Sequence, residues 1–345
     1  MKYISQEVSV EEQIRIENEI KLALIELAKS IANRAKVVGD NSKLIECTSQ
    51  IKLSNMEHWE RFIRQEYYSA LRTFETPKWN IWKKPLSLVT WVDLCSWDGY
   101  RREKALRTLS PNVPNKFLLA LVIRRLNDWV PQVRLAAREL LPEIILKSNP
   151  EDVVDVISFS LSHWSSWRRI EQPDRNTLLE AISSKNLSST IANKIINSAS
   201  GPATVILTQA SRKPVLDHKY LDIATKSIQP AVRAKAFRFL FEAKASWLEG
   251  KKWQWTDKSY CIGRMTPIVS DRRLEEVPSF TSLLEYSSDD KSSIVRRVAA
   301  EFLIKEINLI GMKAKSVAEQ FALDKSNSVR ERGEYALKIL DENFS

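Results

Sequence analysis

Glycine is scarce, with only 7 in 345 residues, roughly a third of the usual share. That scarcity argues against Gly-rich phosphate loops and against a sheet-rich fold with many tight hairpins. Cysteine is as rare: Cys47, Cys95 and Cys261 are odd in number and far apart. They make no disulfide framework and suit a reducing compartment. The three histidines, His58, His163 and His218, show no ligand spacing with one another or with the cysteines, so no metal site is expected. No HExxH, Walker A, GxSxG or GxGxxG stretch occurs, and no cofactor is implied. No run of 18 apolar residues and no secretory leader pattern appears, so the expectation is a cytoplasmic chain with no membrane partner.

What is present is enough for a sizeable core. Hydrophobic residues make up 43% of the chain, and no low-complexity tract interrupts it; the length suits one long or two ordinary domains. The net charge is +10 and unevenly spread. Residues 1–90 carry +2, residues 91–170 +3, residues 171–275 +7 and residues 276–345 −2. An excess of this kind either solvates a helical surface or meets a polyanion.

The clearest pattern is a repeat. "DWVPQVRLAARELL" (128–141) places Val133, then Arg134, Ala137 and Leu141. The same order returns as Val232, Arg233, Ala236 and Leu240, as Val295, Arg296, Ala299 and Leu303, and as Val329, Arg330, Gly333 and Leu337. A weaker copy surrounds Arg102 and Ala105. The residues at 0, +4 and +8 share one helical face, with a small residue at its centre where another helix can approach closely. The arginines at 102, 134, 233, 296 and 330 fall near multiples of 32–34 residues, a period typical of stacked repeats. Missing copies are expected near 168, 201 and 264. Each copy follows another apolar-periodic segment, so the unit is helix, polar turn, helix, and needs neighbours to cover its faces. Pro131, Pro150, Pro202 and Pro230 lie at or near expected helix starts.

Turn aspartate, Val-Arg, small residue and leucine together resemble HEAT repeats of the armadillo/HEAT class over residues 98–340. The resemblance implies an all-α fold: a right-handed α-α superhelix, a HEAT-like solenoid. It would comprise residues 91–345, with an irregular insertion at about 245–275, behind an N-terminal helical cap at residues 1–90. It also implies that the repeated arginine pairs with turn aspartates and neighbouring repeats. Asp128, Arg134, Arg233, Asp289, Arg296, Asp324 and Arg330 are therefore expected to form a structural ladder, while the copy at 227–240 lacks the aspartate.

Three regions depart from the pattern. The first 75 residues read as two or three amphipathic helices, with Ile14, Leu24, Leu27 and Ile31, and then Trp59, Phe62, Ile63 and Tyr67, as core candidates. Residues 76–98 hold Trp79, Trp82, Trp91 and Trp97 around two prolines, read as core or inter-helix wedges. Within the insertion, Gly250, Gly263 and Pro267 are expected to break helices, and Trp253 and Trp255 sit among lysines and arginines. Insertions in stacked-repeat proteins often lie on the binding face. Lys251, Lys252, Trp253, Trp255, Arg272 and Arg273 are thus the candidate contacts.

Together these features imply a non-catalytic scaffold that binds a macromolecule through its concave face or through the insertion. A protein partner is favoured slightly, with DNA or RNA as the alternative; the oligomeric state is left open. One enzymatic alternative rests on "TWVDLCSWDGYRR" (90–102), which resembles alkylpurine DNA glycosylases built on HEAT solenoids. There Asp93 or Asp98 would stabilise a cationic sugar.

Overall fold

In the computed structural model, residues 10–32, 41–74 and 89–344 are described. Trp79 and Trp82 lie outside those residues. The chain is mostly helical and divides after Ala181 into two compact units.

Unit 1 begins with α1 (Val10–Ala32), α2 (Asn41–Ser49) and α3 (Met56–Phe74). It continues with α4 (Gly99–Thr108), α5 (Lys116–Arg124), α6 (Pro131–Lys147), α7 (Pro150–His163) and α8 (Gln172–Ile182). Short 3-10 turns at Trp91–Cys95, Arg125–Asn127 and Trp164–Ser166 precede α4, α6 and α8. The first three helices belong to the same unit as α4–α8. The buried stripe of α1 is Ile16, Ile20, Leu24 and Leu27, whereas Ile14 is exposed. At 100° per residue, Ile14 lies far around the helix from that stripe. On α3 the stripe is Trp59, Ile63 and Tyr67, with Phe62 half-buried.

Local chemistry fixes where these helices start. Asn115 accepts from the Leu118 N–H and Asn149 from the Glu151 N–H, each satisfying a donor that the first helical turn leaves open. Pro131 and Pro150 open α6 and α7, where the absent N–H costs little. α4 packs on α6, and α5 on α7.

Unit 2 holds α9 (Lys185–Asn197), α10 (Ala203–Ala210), α11 (Tyr220–Lys226) and α12 (Pro230–Phe241). After an antiparallel pair of strands come α13 (Phe280–Ser288), α14 (Ser293–Ile310), α15 (Lys315–Ala322) and α16 (Asn327–Phe344). α12 packs against α10 and against α14, and α14 in turn against α16. The repeated positions form the seam: Val232, Ala236, Leu240, Val295, Ala299, Leu303 and Val329 are all buried. Gly333 shows why the central position must be small. A Cβ there would lie 2.2 Å from the Ala322 nitrogen, inside the backbone of α15.

The region expected to be an irregular insertion is a regular β-ribbon. Strand β1 (Lys244–Asp257) pairs with β2 (Ile262–Arg273), in register from Lys244 opposite Arg273 to Asp257 opposite Ile262. Two bulges interrupt it, between Leu248 and Gly250 and between Trp255 and Asp257. Gly250, Gly263 and Pro267, expected as helix breakers, lie within the strands. Tryptophan, isoleucine and valine favour the pleated backbone, and a two-stranded ribbon leaves every strand an edge where proline is tolerated. Gly263 is covered by the Trp253 indole, which a Cβ would meet at 2.5 Å.

Candidate functional site

The repeated arginines share one geometry. Arg102 donates from Nε and Nη2 to the two carboxylate oxygens of Asp128 (2.8 and 2.7 Å), and from Nη1 to the Ser96 carbonyl (2.8 Å). Arg233 does the same with Asp290 (2.7 Å twice) and the Ser227 carbonyl (2.8 Å). Arg296 pairs with Asp324 (2.6 and 2.9 Å) and the Asp290 carbonyl (2.7 Å). Each guanidinium thus closes its own turn through a carbonyl six residues back and reaches forward to the carboxylate of the next turn. Planar, two-pronged donation suits arginine alone. Each carboxylate also accepts from an N–H two residues on, at Val130, Ser292 or Ser326.

The forward step spans 26 residues from Arg102 and 28 from Arg296, but 57 from Arg233. Removing the ribbon, Lys244 to Arg273, leaves 27 residues. The ribbon is therefore inserted between two bonded turns without disturbing their pairing.

Several expected ladder positions change. Asp289 accepts from Gln320 Nε2 (2.6 Å), and the ladder carboxylate is its neighbour Asp290, six residues before Arg296 rather than seven. The copy lacking an aspartate of its own, around Arg233, borrows Asp290. Arg134 bonds the Asp128 carbonyl (3.0 Å), not its carboxylate, and reaches Glu171 (2.5 Å), with Asp174 3.7 Å from its Nε. Glu171, which interrupts the repeat in sequence, is thus the acceptor. The helical position matching the other arginines is Arg175, whose N–H bonds the Glu171 carbonyl, and not Arg168. Arg330, in the last of these helices, donates to Asn327 Oδ1 (2.5 Å).

Asp93 and Asp98 do not act together. Asp93 is buried and accepts from the Thr90 N–H (2.8 Å) and hydroxyl (3.2 Å), with Arg101 Nε 3.7 Å away. Burial raises its carboxyl above the usual range, outweighing these contacts. Asp98 is exposed and caps α4 by accepting from the Tyr100 N–H (2.9 Å). The position corresponding to the ladder aspartate is Ser96, not Asp98.

The six expected contacts on the insertion separate into two groups. Arg272 is an anchor: Nη1 and Nη2 grip Asp217 (2.8 and 2.5 Å), and Nε and Nη2 bond the Ser211 and Lys213 carbonyls (2.7 Å each). Asp217 is buried and also accepts from the Glu275 N–H. Arg272 thus ties the ribbon root to the turn before α11. Lys251, Lys252, Trp253, Trp255 and Arg273 are all exposed on the strands. Register and alternation put Leu248, Trp253, Trp255, Met265, Pro267 and Val269 on one face with Lys251 and Arg273. Every apolar member of that face is exposed. Trp253 and Trp255 meet edge to face, with centroids 5.5 Å apart. On the opposite face, Trp247 donates to Glu249 (2.5 Å) beneath the Arg212 guanidinium, and Ala245 is fully buried.

Among the described residues, no cluster of His, Cys, Asp or Glu is placed to hold a metal ion, and no helix is long and apolar enough to cross a membrane. No protein-family model matches the chain, and no curated protein matches it significantly.

Proposed function

We propose that the chain is a non-catalytic scaffold of HEAT-like helical repeats whose β-ribbon docks a protein partner. The repeat reading is supported by the forward pairs Arg102–Asp128, Arg233–Asp290 and Arg296–Asp324 and by the small residues at the helix seam. Such units bury their faces only by stacking and leave a long surface for binding.

The observation that carries the partner assignment is the apolar face of the ribbon. Two tryptophans, a methionine, a leucine, a valine and a proline side by side form the kind of patch that monomers rarely leave open. Tryptophan and methionine are enriched at protein interfaces; Lys251, opposite Pro267 within the patch, and Arg273, at its root end, add positive charge to it. The non-catalytic reading is supported by the two candidate carboxylates, since Asp93 is turned into the interior and Asp98 is used as a helix cap.

The test is quantitative affinity capture from cells that express the chain, comparing wild type with a W253S/W255S/M265S variant of matched helical circular dichroism. A protein retained by the wild type and lost with the variant supports the assignment. Identical sets of captured proteins would overturn it.

A further inference from the structure

A second surface lies wholly within unit 1 and owes nothing to the ribbon. Three adjoining hollows of about 490, 420 and 310 Å3 run beside the 3-10 turns. The first two share Trp97, and the last two share Arg124 and Asn127. Each 3-10 turn contributes a tryptophan just after it: Trp97, Trp129 and Trp167. Trp97 and Trp129 occupy the same place in the repeat, five residues before Arg102 and Arg134. Arg102 donates to the Trp97 carbonyl (3.0 Å), and Arg134 to the carbonyl of Asp128, next to Trp129 (3.0 Å). The two tryptophans are 61% and 65% exposed.

The walls are cationic. Six arginines line the hollows against three carboxylates, Glu57, Glu60 and Asp128. Glu60 is buried and bound by Arg64 (2.9 Å), Arg124 (2.7 Å) and Arg125 (2.6 Å). Burial alone would raise its carboxyl, but Arg125 and Arg124 outweigh that and hold it below the usual range. One buried anion therefore fixes three guanidinium groups in place. Arg64 lies over the Trp97 ring at 4.3 Å, and Arg102 over Trp129 at 5.8 Å. Arg169 and Arg72 are exposed, and their guanidinium groups have no hydrogen-bond or ion-pair partner among the described residues, while the Arg169 N–H donates to Asn127 Oδ1 (3.0 Å).

We infer that this groove binds single-stranded nucleic acid, with Trp97 and Trp129 stacking bases and Arg124, Arg169 and Arg72 meeting phosphates. Exposed indoles beside fixed guanidinium groups are the elements of sequence-tolerant single-strand binding. Arginine in a planar fork suits phosphate. The donors of Arg102 and some of those of Arg64 are taken by Asp128, Glu60 and backbone carbonyls, which holds the tryptophan-facing wall and leaves phosphate to the more exposed arginines. Separate hollows of a few hundred Å3 take one ring at a time, whereas a duplex presents no unstacked base to them.

Fluorescence anisotropy of a labelled 20-nucleotide single strand, its duplex and a polyglutamate peptide, titrated with the full chain at two salt concentrations, tests the inference. The expected result is preference for the single strand. W97A and W129A should each weaken it about tenfold, and R72E/R169E should weaken it while flattening the salt dependence. W253S/W255S, on the ribbon, should leave it unchanged, which separates this inference from the protein-docking proposal. The exposed side chains leave helicity intact in every variant, to be checked by circular dichroism. Tighter binding of the duplex, equal binding of the peptide, or affinity indifferent to Trp97 and Trp129 would each overturn it.

Discussion

The turns of unit 1 and the ribbon of unit 2 both present tryptophan beside basic residues, but hold them differently. In the turns, each arginine is bound by a carboxylate and backbone carbonyls, and the indoles project from a backbone those bonds have set. On the ribbon, only Ala245 is fully buried, and a lone two-stranded sheet has little stability of its own. Its order depends on the root, where Arg272 grips Asp217. The first surface is held by a bonded network, as the proposed nucleic-acid ligand would need; the second is an apolar blade fixed at one end, as the proposed protein partner would meet it. Charge density in the sequence does not separate them, because the most basic segment contains the ribbon while the cationic groove draws on two segments of modest excess.

The largest expected effect comes from the most buried pair. The Arg102 and Asp128 side chains are 3% and 2% exposed, so Arg102→Ala leaves a buried carboxylate short of its main partner. Removing one member of such a pair costs about 3–5 kcal/mol, to be read by urea denaturation. A loss under about 1 kcal/mol would mean that the ladder is ornamental. Arg272→Ala should cost about 3 kcal/mol locally, seen as lost amide protection in β1 and β2 with α14 and α16 unaffected. Uniform loss over both would show that the ribbon is not a separate dependent element. Gly333→Ala should destabilise by about 1–3 kcal/mol through overpacking against α15.

Acid should distinguish the two units. In unit 2, the hydrogen bond from Arg296 holds Asp324, and that from Arg238 holds Glu301, below their usual ranges. A lowered folded-state pKa stabilises the fold above the unfolded values of about 3.9 and 4.3, and this stabilisation is lost as pH falls further. In unit 1, burial raises Asp93 and Asp174, so those two sites penalise the fold when ionised and relieve it as they protonate. Hydrogen exchange from pH 6 down to 3 should therefore show unit 2 losing protection first, with the depressed Glu60 limiting the advantage of unit 1. The smallest effect is on the ribbon tip: W253S/W255S should change global stability by no more than about 0.5 kcal/mol.

Much of the helical framework was legible, because Val, Arg, small residue and Leu at fixed spacing state a buried face directly. The register of the ladder was less so. Asp289 and Asp290 are adjacent, and only the turn geometry, a carbonyl six residues before the arginine, selects the second. Glu171 reads as a broken repeat until its bond to Arg134 is known. Glycine and proline break helices but also sit at bulges and edges of strands, so alone they do not separate an irregular insertion from a ribbon; alternation from Lys251 to Trp255 is the sign of a strand that the sequence carries. Arg272 resembled a ligand-binding residue because its partner, Asp217, is 55 positions away. The groove needed Glu60, Arg124 and Arg125 brought together from α3 and the end of α5, although the place of Trp97 and Trp129 five residues before a ladder arginine could have marked its axis.

The most direct test of the docking proposal is a photo-cross-linking amino acid placed at Met265 in the full chain, irradiated in cells. A discrete adduct that protease removes and nuclease leaves intact is the predicted result. An adduct removed by nuclease alone, or none at Met265 while a control position on α16 gives the same background, would contradict it.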